Sequence, residues 1–267
     1  MGTMEINKVY NESCLNTMVR MPDGFVDLTV TSPPYDNLRS YKNKIDESWG
    51  EHVWKPIIKE LFRVTKVGKV VVWVVGDATI KGSETGTSFK QALHAIDCGF
   101  NLHDTMIYEK SGVMPSSNRY CQMFEYMFVF SKGKPNTTNL LKDRKNNWAN
   151  TKTGNIGQRQ KDGSIKKNGK KTIKKFGLRF NIWRILNEGG WNNKDILTKK
   201  HPATFPEQLA NDHIISWSNP GDLVYDPFMG SGTTAKMAIL NGRKWVGSEI
   251  SKEYCDVVDE RVKLVSA

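Results

Sequence analysis

Two short stretches set reactive groups beside residues that stiffen the backbone. In Asp27-Leu28-Thr29-Val30-Thr31-Ser32-Pro33-Pro34-Tyr35-Asp36-Asn37 an apolar strand stops at a double proline. Two consecutive prolines end helix or ladder pairing and hold the chain rigidly, so the polar groups beside them are pre-aimed. Those groups are the Ser32 oxygen and the Pro33 carbonyl, both hydrogen-bond acceptors, and the Tyr35 ring, a surface on which a planar ligand can stack. The second stretch, Leu223-Val224-Tyr225-Asp226-Pro227-Phe228-Met229-Gly230-Ser231-Gly232-Thr233-Thr234, runs from a strand through a glycine-rich turn into a helix start. Glycines let the backbone approach a ligand closely, and the free amides of a helix start favour polar or anionic groups. The next strand ends at Glu249, 17 residues after Gly232, where a carboxylate can accept hydrogen bonds from both hydroxyls of a ribose. Taken singly, each feature has a plainer explanation: a proline-rich loop, a nucleotide-binding turn, a solvated strand end.

These residues must be held by a framework, and the apolar pattern supplies one. Residues 6–10, 25–31 and 70–75 read as buried strands, and 53–64 has the 3-4 apolar spacing of an amphipathic helix. Strand, helix, strand in that order predicts a right-handed crossover. Thr87-Ser88 looks like a capped helix start closed by Gly99, and 105–109 and 126–130 read as the antiparallel end of the same sheet. After a polar stretch, 205–218 returns to helical spacing, and 223–225 and 245–250 are strands on either side of a helix at 233–240.

The chain of 267 residues suits one α/β core with a modest insertion. No apolar run of membrane-spanning length occurs, and Met1-Gly2-Thr3-Met4 does not open a secretory signal, so a soluble, cytoplasmic protein is expected. Cys14, Cys98, Cys121 and Cys255 are widely spaced, which fits reduced thiols and no metal. The charge is concentrated. Residues 131–180 carry 15 Lys or Arg against 2 Asp, a net +13, whereas the whole chain is +11, so the remainder sums to −2. A basic segment on a near-neutral body is the footprint of nucleic-acid binding; a solvated loop that orders on DNA is compatible with it. The insertion is placed at 132–193, with Arg39, Lys166, Lys167, Lys170, Lys171, Lys174 and Lys175 as DNA contacts. The catalytic domain is then 1–131 together with 194–267.

Asp226-Pro-Phe-x-Gly-Ser-Gly-Thr-Thr resembles the cofactor motif of the DNA amino-methyltransferases, and Ser32-Pro33-Pro34-Tyr35 resembles their catalytic tetrapeptide. His201-Pro202-Ala203-Thr204-Phe205-Pro206 is similar to a third motif that precedes a helix lining the cofactor pocket. The tetrapeptide precedes the basic insertion and the cofactor turn follows it, which is the permuted order of the β class. The resemblance implies a Rossmann-like S-adenosylmethionine-dependent methyltransferase fold, α/β with a mostly parallel seven-stranded sheet, circularly permuted, whose insertion is a target-recognition region. It further implies S-adenosyl-L-methionine as cofactor. Asp226, Pro227, Phe228, Gly230, Ser231, Gly232, Thr233, Thr234 and Glu249 would surround it, with Pro202 and Phe205 nearby. Double-stranded DNA is the expected partner, in an enzyme of bacterial or phage type; a cognate restriction nuclease and a homodimer are partners that the family allows. Ser13 stands where many members carry an acidic residue.

An exocyclic amine is a poor nucleophile because its lone pair is delocalised into the ring. Acceptors at Ser32 and Pro33 would restore it, and Tyr35 would stack on an extruded base. Direct transfer then needs positioning and complementary electrostatics, without a covalent protein intermediate. C5-cytosine methylation is set aside because none of the four cysteines follows a proline. Release-factor glutamine methyltransferases are set aside because their cofactor motif comes first. Ser-Pro-Pro-Tyr favours cytosine N4 over adenine N6, and an idle DNA-binding protein on the same fold is the reading from a different class.

Overall fold

Strands buried on both faces and helices apolar on one face sort themselves into layers. The computed structural model describes residues 4–34, 49–110, 118–154, 156–185 and 206–266. The described chain forms two compact units, one of them Leu140–Phe180 and the other built from the chain on either side of it.

In the larger unit the sheet strands are β1 (Lys8–Asn11), β2 (Val26–Thr31), β3 (Thr65–Val75), β4 (Asn101–Glu109), β5 (Phe124–Ser131), β6 (Ile182–Arg184), β7 (Leu223–Asp226) and β8 (Lys244–Glu249). Their order is β1-β8-β7-β2-β3-β5-β4-β6. Every neighbouring pair is parallel except the two made by β5. The expected class is therefore found with one strand more than seven: β6 pairs parallel with β4 at the sheet edge. The helices are α1 (Cys14–Arg20), α2 (Glu51–Val64), α3 (Thr87–Asp97), α4 (Glu207–Trp217), α5 (Thr233–Leu240) and α6 (Lys252–Ser266).

Alternation along β3 divides the core. Val70, Val72 and Val74 pack with α4, α5 and α6 on one face, while Val71, Trp73 and Val75 pack with α1, α2 and α3 on the other. Successive strand side chains point to opposite faces, so a strand covered on both sides must be apolar throughout, as residues 70–75 are. The helix after β7 covers one face and the one preceding β3 covers the other. The crevice between the carboxyl ends of the adjacent parallel strands β2 and β7 is thus the topological switch point, where open α/β sheets bind ligands.

One local expectation is revised. The start of α3 is not capped by its own Thr87 or Ser88; its N-cap is Gly86, in the left-handed region at φ +63°. The cap comes instead from Asp77 beyond the end of β3, whose carboxylate accepts from Ser88 N (2.9 Å), Ser88 Oγ and Thr85 Oγ1. A cap supplied by a residue eleven positions away has no local spacing by which to find it. Asp77→Ala leaves a buried amide and hydroxyl unpaired, so a loss of about 1–3 kcal/mol is expected, read as a lower urea midpoint at unchanged slope.

Candidate active site

The two motifs meet at the switch point through one carboxylate. Asp226, the last residue of β7, is 1% exposed. Its Oδ1 accepts from Thr31 Oγ1 at the end of β2 (2.6 Å) and from Phe228 N in the glycine turn (3.0 Å); its Oδ2 accepts from Thr234 Oγ1 in the first turn of α5 (2.7 Å). Burial pushes the Asp226 carboxyl up to about 6, against the pull of those three donors toward the ionised form. Ser32, Pro33 and Pro34 follow Thr31 directly, so the bond from Thr31 fixes the base of the proline corner to the floor of the turn.

The turn is folded tightly. Gly230 (φ +52°) and Gly232 (φ +84°) occupy the left-handed region that side chains avoid, and a Cβ on Gly232 would press on the Val258 side chain at 3.1 Å. Gly230 N donates to Glu249 Oε2 (2.9 Å), and Ser251 N donates to Oε1 (2.8 Å). Burial raises the Glu249 carboxyl while these amides hold it down. The Met229 side chain packs directly on Gly247, where an added Cβ would lie 2.2 Å from Met229 Cε and 3.0 Å from its Cγ. Phe228 is held edge-on by Trp49 and Trp73, with ring centroids at 5.6 and 6.1 Å.

The sequence motifs omitted the residue that clamps the turn from behind. Arg261 on α6 is 1% exposed; its Nη1 donates to Ser231 O (2.6 Å), Ser231 Oγ (3.2 Å) and Thr233 Oγ1 (3.4 Å), and its Nη2 to Glu207 Oε1 (2.8 Å). Lys236 also pairs with Glu207, at 2.6 Å. The signal was present in the spacing: Tyr254, Val257, Val258 and Arg261 form one buried stripe of α6, so an arginine sits at a core position and needs acceptors there. Thr31 and Thr234 belonged to the motifs, but their shared carboxylate partner was not legible. Tyr35, Arg39, Pro202 and Phe205 lie outside the described residues. Lys166, Lys167, Lys170, Lys171, Lys174 and Lys175 are all exposed in the smaller unit. Among the described residues no group of three or more His, Cys, Asp or Glu is placed to hold a metal, and no helix is long and apolar enough to cross a membrane.

A strand-end carboxylate, a left-handed glycine turn and a second carboxylate on the next strand thus lie together at the switch point, with the Ser32-Pro33-Pro34 corner following Thr31 on the same scaffold. Residues 26–260 match the DNA methylase family of N6 and N4 methyltransferases, and the chain belongs to that family. It is 59% identical over 244 residues to the orphan methyltransferase M.BamHII of Bacillus amyloliquefaciens, covering 90% of each chain. It is 28% identical over 271 residues to the DNA adenine methyltransferase YhdJ of Escherichia coli, covering 98% of this chain and 84% of that one. Among solved structures, the cytosine-N4-specific PvuII DNA methyltransferase superposes with a TM-score of 0.70 over 99% of this chain and 91% of that one, at 20% identity, a likeness of fold.

Arg261→Gln removes the donors to the turn but leaves Lys236 on Glu207. A cost of roughly 3 kcal/mol is expected, the low end for breaking a buried ion pair, measured by urea unfolding.

Proposed function

We propose that the chain is a site-specific DNA methyltransferase that uses S-adenosyl-L-methionine to methylate an exocyclic amine, preferentially cytosine N4, on a base turned out of the duplex. The observation that carries this is the Thr31–Asp226 bond, which joins an acceptor corner to a cofactor-type turn. The cofactor fits the residues present. A carboxylate offers about four acceptor sites, and three donors on Asp226 leave one for the cofactor's ammonium group. Glu249, bonded once at each oxygen, keeps capacity for ribose hydroxyls, and Gly230 to Thr234 give close backbone approach. When bound, S-adenosylmethionine supplies an electrophilic methyl group.

The rest is positioning by this chain. Ser32 Oγ and the Pro33 carbonyl accept from the target amine, returning its lone pair to nitrogen, while Tyr35 stacks on the extruded base. The serine that opens the tetrapeptide supports cytosine. A second reading, adenine N6, is favoured by the E. coli relative, which is an adenine enzyme. Mass spectrometry of nucleosides from treated DNA decides between them: N4-methylcytosine supports the first, and methyladenine alone overturns it. Absence of cofactor binding in a titration would return the chain to an idle DNA-binding role. The relative named an orphan methyltransferase supports action without a cognate nuclease.

Stacking on an aromatic ring contributes about 1–3 kcal/mol per base, so Tyr35→Ala is expected to lower kcat/KM for DNA by roughly 5- to 150-fold while the cofactor Kd stays the same. The pH dependence follows from Asp226. As pH falls through about 6 its carboxyl gains a proton, losing the charge that attracts the ammonium group and placing a hydrogen where that group would donate. Cofactor affinity is therefore expected to weaken below that point, and Asp226→Asn to bind weakly without the inflection, as measured by calorimetry from pH 5 to 8.

A further inference from the structure

The smaller unit, Leu140–Phe180, holds 13 Lys or Arg and 2 Asp, a net +11 that equals the formal charge of the entire chain. Within it lies a two-stranded antiparallel ribbon. Ile156–Arg159 pairs with Ile165–Asn168, and the bridge between Lys152 and Thr172, four residues back on each strand, keeps the same register. Thr153 N donates to Lys171 O (2.8 Å) and Lys171 N to Thr153 Oγ1 (3.0 Å). The turn at the end is closed by hydrogen bonds. Gln160 N donates to Ser164 O (2.7 Å), Gly163 takes φ +84°, and Asp162 Oδ1 accepts from Ser164 N and Oγ.

Both faces of this ribbon are open: Gln158 and Lys166 on one, Arg159, Ile165 and Lys167 on the other, are all exposed. A hairpin with neither face covered is marginal alone. Lys166 and Lys167 are adjacent on one strand, and because neighbouring strand residues point to opposite faces, the pair divides its charge between them. A ribbon laid flat on one phosphate chain would need cations on a single face. Cations on both faces suit a ribbon standing between two phosphate chains.

We propose, resting on the reading of this chain as a DNA methyltransferase, that the ribbon enters the major groove turn-first, with Lys166 and Lys167 on opposite phosphate walls and Arg159 and Gln160 reading base edges. The dimensions agree. One β layer with side chains on both faces is about 10 Å thick, and the major groove is about 12 Å wide and 8.5 Å deep. That depth is spanned by two or three strand residues at about 3.4 Å each, which carries the Gln160 turn to the groove floor and leaves Lys166 and Lys167 at its rim. Arg and Gln are the side chains suited to guanine and adenine edges, and the Gln160 amide is oriented by its bond to Gln158 O (3.1 Å).

The test is selection of bound duplexes from a randomised library by the full-length protein, which needs no turnover and so separates this proposal from the methylation reaction. Arg159→Ala and Gln160→Ala are each expected to relax base preference at one position by roughly 5- to 150-fold. Lys166→Ala and Lys167→Ala should each lower the salt slope of binding by about 1 and leave the preferred sequence unchanged. An unaltered preference in both turn variants overturns the proposal, as does a salt slope that responds to only one of the two lysines. Loss of methylation with the selection intact would instead count against the methyltransferase reading.

Discussion

One buried carboxylate sets the geometry on which the remainder of the larger unit depends. Asp226 closes β7, and its three donors come from three different elements: the end of β2, the glycine turn and the first turn of α5. A carboxylate excluded from water must be paired, and these donors are what allow it to remain there in charged form. The proline corner and the glycine turn are therefore set by one point of attachment, between residues 195 positions apart in sequence. The parallel pairing of β2 with β7 brings them within hydrogen-bond reach, and the reversal of strand order at that pair opens the crevice into which both face.

A second layer of support stands behind the turn. Left-handed glycines make it compact, and compactness alone does not fix its position. Arg261 does so by donating to Ser231 and Thr233 while joined to Glu207 at the start of α4. The three helices α4, α5 and α6 are thus linked by polar bonds at the site end and by apolar packing elsewhere, and the turn is carried on a rigid base rather than on a free loop.

Much of the framework was legible because it rests on period. Residues 233–240 are read and found as the same helix, and the all-apolar run 70–75 is read and found as a strand covered on both sides. The short β6 was not legible, since three residues within a polar segment carry no period and form a strand only because β4 offers an edge. Likewise the motifs displayed Asp226, Gly230, Gly232 and Glu249, because each is a distinctive residue at a strand end or turn. What they hid were the long-range partnerships: Thr31 with Asp226, Asp77 with Ser88 and Arg261 with Ser231. A hydrogen bond between residues distant in sequence leaves no local spacing.

The smaller unit has another consequence. Its 41 residues, Leu140–Phe180, pair with one another: Thr153 with Lys171, Arg144 with Gly177, Arg179 with Asp143. The ladder that defines it borrows no strand from the central sheet. Under the proposal that the ribbon reads DNA, such a unit is a replaceable cassette: another address would call for another ribbon on the same Asp226 scaffold.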